Sequence, residues 1–291
     1  MRRSLKSSRI LIVGLVKNCA RSIKGELEII NHAFSDSEEI KWLIIESDSS
    51  DNSIQELEEA KQIYNLNFYS LGKLEERFPL RTERIAFCRN KYIKEIQNDK
   101  KYSTIDFVVV ADLDGVNTSL NIDSVRSCWE VNVDWDGCFA NQLGPYYDIW
   151  ALRHPIWSPN DCFEHEKFLT DQGVNPFMSR YFAVYSRMIK ILTTAKPIKV
   201  VSAFGGMGIY KKKLFENNSY IGVNQLGEEI CEHVSFHENL KKANLFIIPS
   251  FINCSWNEHS KPKRIYNIMI VYFLSMFFSK KKLSKLKNFI K

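Results

Sequence analysis

The sequence contains no CxxC pair, and its seven cysteines (Cys19, Cys88, Cys128, Cys138, Cys162, Cys231 and Cys254) fall into no even framework. This speaks against a disulfide scaffold; the thiols are expected to be reduced, buried small hydrophobes of a cytosolic protein. No apolar run reaches the ~20 residues that a membrane-spanning helix needs. The run in the tail, 265–278, has 14 residues. The opening segment imitates a signal peptide, but its apolar run, 10–16, is short and meets Lys17 at once, so it reads as a first β-strand. No internal repeat is present. Acid is missing from the tail: residues 261–291 carry nine Lys/Arg and no Asp/Glu. The whole chain is +6, so the first 260 residues sum to −3. A mildly acidic body with a basic appendage argues against a nucleic-acid-binding core and for a tail that meets an anionic surface.

What is present is the composition of a folded protein. The chain is 45% apolar and 25% charged over 291 residues, enough for a full core. Residues 1–260 are expected to form one domain and 261–291 a basic amphipathic tail. Apolar runs alternate with helical spacing. "RILIVGLV", "IKWLIIE", "LNFYSL" and "IDFVVVADLDG" read as strands. "ARSIKGELEIINHAF", "IQELEEAKQIY" and "RTERIAFCRNKYIKEI" read as helices, the last with Ile85, Cys88, Tyr92, Ile93 and Ile96 on one face. Such alternation predicts an α/β fold with a mostly parallel central sheet, whose ligands bind beyond the carboxyl ends of the strands. Further on, "WDGCFANQL", "YYDIWALR", "IKVVSAFGGMGIY" and "NLFIIPSFI" read as strands, 154–176 as a loop-rich insert, and 177–192 and "EHVSFHENLKKA" as helices.

The polar clusters stand at the strand ends: Lys17 and Asn18, then Glu46 to Ser53, then Asp112 to Asn117. "FVVVADLDGVN" places Asp112 and Asp114 one residue apart at the mouth of a buried strand. Two carboxylates on a tight turn suit a hard cation, Mn²⁺ or Mg²⁺, held together with diphosphate oxygens. The cation would stabilise the charge of a departing nucleoside diphosphate. A bare DxD is also an ordinary strand-end turn. Arg81, Arg84 and Arg89 lie on one helix near this end, and guanidinium suits phosphate. Their spacing does not put all three on one face, so at least one is expected to be structural. Tyr147, Asp148, Trp150 and Arg153 follow the aspartates. Three N-x-S/T sequons occur, at Asn117, Asn217 and Asn253.

These segments carry a resemblance. "LIVGLVKNCARSI", "IIESDSSDNS" and "ADLDG" resemble, in order, the opening strand and loop, the nucleobase-binding turn and the DxD motif of the GT-A nucleotide-sugar glycosyltransferases of family-2 type. "LRTERIAFCRN" and "YYDIWALR" resemble the fungal capsule-associated mannosyltransferases and related microbial and viral proteins. The likeness covers about residues 9–260. It implies a GT-A fold, a Rossmann-like α/β/α sandwich. It implies a nucleobase held by Glu46 and by the segment around Lys17 and Asn18, with Ser47 at the second acid of the pattern and Asp48 at its glycine. It further implies a metal site of Asp112, Asp114 and His259, with His237 as a fallback ligand. "FGGMGIYKK" is similar to the acceptor-side loop, in which Gly205 and Gly206 let backbone approach the donor. "CEHVSFH" falls where the family carries an acidic pair, so Glu232 or His233 would be the base, if the enzyme inverts.

The expected activity is therefore metal-dependent transfer of a sugar from a GDP- or UDP-sugar, with Arg84 and Arg89 beside Lys17, Asn18, Glu46, Asp48 and Asp112 on the donor. The acceptor would be a glycan or lipid-linked glycan in surface polysaccharide, lipopolysaccharide or capsule synthesis. The tail would hold the enzyme at the cytoplasmic face of the inner membrane. No nucleic-acid partner is expected. "VVVADLDGV" is also similar to the first motif of haloacid-dehalogenase-like phosphatases, with Asp112 as nucleophile and Asp114 as general acid. That chemistry needs a later acidic cluster, for which Glu228 and Glu229 are the candidates. A catalytically inactive nucleotide-binding module is the third possibility.

Overall fold

The computed structural model describes residues 3–256 and residue 273. The tail segment, the 260/261 boundary and His259 lie outside the described residues.

Eight strands form one mixed sheet. In chain order they are β1 (Arg9–Val16), β2 (Glu39–Glu46), β3 (Leu66–Ser70), β4 (Phe107–Asp112), β5 (Gly137–Gln142), β6 (Ile198–Val200), β7 (Met207–Lys211) and β8 (Leu245–Cys254). Their order across the sheet is β3-β2-β1-β4-β7-β5-β8-β6. β7 runs antiparallel between β4 and β5, and β6 runs antiparallel on β8; the others share one direction. The expectation of a mostly parallel α/β sheet is met.

The helices are α1 (Ile23–Ala33), α2 (Ser53–Ala60), α3 (Arg81–Asn98), α4 (Ile122–Glu130), α5 (Cys162–Asp171), α6 (Pro176–Ala183) and α7 (Glu232–Glu238). They cover both faces of the sheet. Ile10 and Ile12 of β1 pack with Ile23, Leu27 and Ile30 of α1, whereas Leu11 and Val13 pack with Ala86, Tyr92 and Ile93 of α3. Alternate side chains thus enter two separate cores, which is why the strand reads as an unbroken apolar run. β1 is the switch point: the chain moves outward to β2 and β3, then returns to β4 on its other side. A crevice opens where the crossovers diverge, at the carboxyl ends. The register sets these ends level, with Val16 beside Glu46 and Leu15 beside Asp112.

Beyond β5 three expectations are corrected. "YYDIWALR" is no strand. Tyr146, Ile149, Ala151 and Leu152 are buried, which is not a two-residue period. The segment instead turns, with Ile149 N–H on the Tyr147 carbonyl at 2.9 Å, and then forms an isolated antiparallel bridge, with Arg153 N–H on the Ser202 carbonyl at 2.8 Å. "IKVVSAFGGMGIY" is two strands, β6 and β7, divided by the turn at Gly205 and Gly206, where φ is +68° and +87°. The helix expected over 177–192 stops at Ala183, and the insert holds α5.

Candidate functional site

A cavity of about 1170 Å³ lies at the carboxyl ends of β1, β2 and β4. Lys17, Asn18, Cys19, Ser47, Asp48, Arg81 and Arg84 line one side. Asp112, Asp114 and Arg89 stand between. Tyr147, Asp148, Trp150, Phe204, Glu232 and His233 line the other side. Residues as far apart in sequence as Lys17 and His233 are thereby brought to one surface.

Arg89 is the charged node of this cavity. Burial leaves it 4% exposed. Its Nε lies 3.1 Å from Glu232 Oε1, and its terminal nitrogen lies 3.9 Å from Asp112 Oδ1. Phe204 and Tyr220 flank the guanidinium at 5.6 and 5.5 Å. A cation so enclosed by two carboxylates is committed to holding them. Arg84 is also engaged, donating to the carbonyls of Phe78 and Pro79 at 2.6 and 2.8 Å. Arg81 instead is exposed and lines the cavity. All three arginines on α3 line the cavity, and Arg81 is the most exposed of them.

Asp112 has 40% of its side chain open to the cavity. Its carboxyl is nevertheless pushed up to about 8, chiefly by burial, with the charges of Asp114, Asp148 and Glu232 adding to the rise and Arg89 opposing it. Around Asp112, then, four acids share one guanidinium. Among the described residues no three His, Cys, Asp or Glu side chains form a group that could hold a metal ion. Asp112 and Asp114 offer two carboxylates at the cavity wall. That donor set fits a hard cation whose remaining ligands are phosphate oxygens and water. His237 lies away from the cavity wall. Its ring nitrogens are hydrogen-bonded to Ser202 Oγ at 2.8 Å and Tyr210 OH at 2.9 Å. It is a core histidine, and burial lowers its pKa to about 3, with Arg89 adding to the effect.

The turn after β2 is built by side chains. Glu46 is 1% exposed and lies outside the cavity lining. It accepts from Ser49 N–H at 3.0 Å and from Ser70 Oγ. It thus shapes the turn from beneath. Asp48 has φ +59°, the left-handed region that glycine favours, and its carboxylate binds the N–H groups of Leu74 and Glu75 at 2.6 and 3.1 Å. Asn18 has φ +53° and accepts from Ser50 N–H at 2.8 Å. Lys17 pairs with Glu75.

On the opposite side, Gly205 and Gly206 lie behind the cavity lining. A Cβ on Gly205 would meet the Ala140 carbonyl at 2.8 Å, and one on Gly206 would meet the Tyr147 hydroxyl at 2.9 Å. Gly205 N–H donates to Asp148 Oδ2 at 3.0 Å. Glu232 opens α7 and is 6% exposed. His233 stacks on Phe204 with ring centroids 3.8 Å apart. Neither of its ring nitrogens makes a hydrogen bond, and Nε2 lies 3.6 Å from Glu232 Oε1. Burial, then Arg89 and His237, hold its pKa well below the usual imidazole range.

Glu228 and Glu229 supply no second acidic cluster to the cavity. Glu228 accepts from Asn224 at 2.9 Å, and Glu229 accepts the Thr82 N–H at 3.0 Å. Sequence reasoning named Asp148 without a role, and it missed Glu26, Asn117 and Asn253. Asn117 and Asn253 are fully buried. Asn117 was legible only as the last member of the polar cluster after the fourth strand, and Asn253 only as the start of a sequon. All seven cysteines are buried and stand outside any disulfide, and no helix among the described residues is long and apolar enough to cross a membrane.

No family model matches the chain, and no curated protein matches it. Among solved structures, the mannosyltransferase PcManGT from Pyrobaculum calidifontis, in complex with GDP-Man and Mn²⁺, aligns with 13% identity and a TM-score of 0.48. The alignment covers 92% of this chain and 61% of that one. S. aureus TarS in complex with UDP aligns with 13% identity and a TM-score of 0.49, covering 90% of this chain and 63% of that one. Glucosyl-3-phosphoglycerate synthase from Mycobacterium tuberculosis, in complex with UDP, aligns with 10% identity and a TM-score of 0.40, over 90% and 77%. The chain thus spans about three fifths of the first two structures.

Proposed function

We propose that this protein is a glycosyltransferase that moves a sugar from a nucleoside-diphosphate donor to a glycan or lipid-linked acceptor. The observation that carries this reading is the cavity at the strand ends, which brings Asp112 and Asp114 to one wall together with Lys17 and Arg81 on one side and Glu232 on the other. The nucleoside would lie over Lys17, Asn18, Ser47 and Asp48, with Arg81 on the diphosphate. Asp112 and Asp114 would hold Mn²⁺ or Mg²⁺, which when bound supplies positive charge for the leaving diphosphate.

The acceptor hydroxyl enters from the side of Trp150 and Tyr185. Glu232 takes its proton as the acceptor oxygen bonds to the anomeric carbon and the carbon–phosphate oxygen bond breaks. Glu232 is preferred over His233 because Arg89 holds its carboxylate at the cavity wall, whereas the His233 ring is stacked on Phe204 and its buried nitrogens have no hydrogen-bond partner to take part in a proton transfer. Arg89 keeps the Glu232 carboxylate in place. His259 remains the proposed further metal ligand. The basic tail, 261–291, is proposed to bind an anionic membrane surface at the cytoplasmic face.

The deciding experiment is a thermal-shift screen against UDP, GDP, dTDP and CMP, each with Mn²⁺ and with EDTA. Ligand at 100 times its dissociation constant adds about 2.7 kcal/mol to stability. One nucleotide stabilising only with metal is the expected result and identifies the donor class. No nucleotide shift, with turnover of a generic phosphate ester, would move Asp112 to the role of phosphatase nucleophile.

A further inference from the structure

Beneath the pocket floor lies a run of buried polar side chains that the proposed chemistry does not use. Asn117, Asn253 and Gln142 are fully buried, and Glu26 is 2% exposed. They come from four separate places: α1, the aspartate turn, β8 and the end of β5. Glu26 accepts from Asn117 twice, from N–H at 3.0 Å and from Nδ2 at 2.6 Å. The same Nδ2 donates to the Asp112 carbonyl at 2.7 Å. Asn253 Nδ2 donates to Asn117 Oδ1 at 3.2 Å and to the Gly205 carbonyl at 2.9 Å. Gln142 Nε2 donates to that carbonyl at 3.1 Å and to Asn253 Oδ1 at 3.3 Å. The circuit closes on both sides of the cavity. Gly206 accepts from Asp112 N–H at 2.9 Å, and Gly205 N–H donates to Asp148 Oδ2 at 3.0 Å.

A buried amide is costly unless its hydrogen bonds are made, and an apolar side chain would fill the same space without that demand. The sheet carries Asp112 as the last residue of β4; what these amides add is a tie between the turn that follows it, 113–117, and the turn before β7. The first turn carries Asp114, and the second donates Gly205 N–H to Asp148; both carboxylates line the cavity. We infer that Asn117 and Asn253 are positioning residues that lock the aspartate turn to the turn at Gly205, pre-setting the aspartate turn for the cation–diphosphate group. This inference rests on the glycosyltransferase reading of the site.

The test is Mn²⁺ binding, followed by electron paramagnetic resonance in the presence of the nucleotide that stabilises the wild type, beside thermal melting of the same samples. Asn253→Ala removes the central tie. Asn141→Ala removes an equally buried amide off the circuit, whose Nδ2 donates to the carbonyls of Ile191 and Pro249. Both variants should melt earlier. Only Asn253→Ala should raise the half-saturating Mn²⁺ concentration, by ~10-fold or more, the usual size of an outer-shell effect on metal affinity. Equal Mn²⁺ affinity in folded Asn253→Ala overturns the positioning role while leaving the glycosyltransferase reading intact, and so does an equal loss in Asn141→Ala. Absence of cation-dependent nucleotide binding in the wild type sinks both. If Asn253→Ala does not fold, Gln142→Met removes one edge of the circuit. It should raise the half-saturating concentration about threefold, and wild-type affinity in it overturns the inference.

Discussion

On the proposed donor side of the cavity, Val16, Glu46 and Asp112 end neighbouring parallel strands, and ladder hydrogen bonds fix their backbones before any side chain acts. On the proposed acceptor side, residues 145–153 and 203–206 have almost no ladder. Their positions come from side chains: Asp148 on Gly205, Ser202 Oγ on the Ala151 carbonyl at 2.7 Å, and Arg153 on Asp161 at 2.5 Å. Regular structure can therefore carry a functional residue at its end at little cost to stability. Irregular structure must be held by groups that are themselves buried and polar, and each tie is a point of failure. A donor-side ligand should be removable without loss of fold, whereas acceptor-side changes should cost stability and activity together.

Asp114→Ala is the strongest test of that contrast. It removes an exposed group from a strand-end turn, so turnover should fall on the order of 10³-fold, with the melting temperature unchanged. Wild-type-like turnover would end the metal assignment. Arg89→Met should do the opposite. It leaves Glu232 buried without its cation and should destabilise by about 3–5 kcal/mol, read by urea denaturation. Full stability in that variant would mean that Arg89 does not tie the two sides.

A third effect follows from His237, which is buried neutral between Ser202 and Tyr210. Its folded pKa, about 3, lies below its unfolded value of 6.5. From pH 6.5 down to about 3 the unfolded chain binds one more proton than the folded one. Stability from this group is therefore complete above pH 6.5 and drains away as pH falls through that window. The His237→Gln variant should show a flatter acid limb in melting temperature against pH; an unchanged limb would assign the loss to other groups. The smallest effect is expected in the insert. Asp161 caps α5, accepting from Phe163 and Glu164 N–H at 2.8 and 3.2 Å, and pairs with Arg153. Asp161→Ala should cost about 1–2 kcal/mol and make residues 154–192 the first site of limited proteolysis. Cleavage elsewhere would show that the insert is held by other contacts.

The two sides also differ in how legible they were. The strands β1, β2 and β4 were plain, because burial on both faces writes an unbroken apolar run. The place of Asp112 and Asp114 in the cavity followed from the end of such a run. Even Asp48 was informative, since it occupies the left-handed position at which the glycosyltransferase pattern has glycine. The role expected of Glu46 was less legible: sequence shows an acid at a strand end, but not that Ser49 and Ser70 bind it from below. "YYDIWALR" misled because aromatic and apolar residues favour strands, while its hydrogen bonds depend on Ser202, some 50 residues later. Arg81 and Arg84 are chemically alike in sequence. Only the carbonyls of Phe78 and Pro79 decide which is spent.

The burial of Asn117 and Asn253 has a practical consequence for making this protein in a secreting host. Both sequons are sealed inside the folded chain, while Asn217 is open to solvent. An oligosaccharyltransferase meeting the finished fold could reach only Asn217. A glycan found by mass spectrometry on Asn117 or Asn253 would therefore mark molecules modified before they folded, and those molecules could no longer close the floor of the pocket.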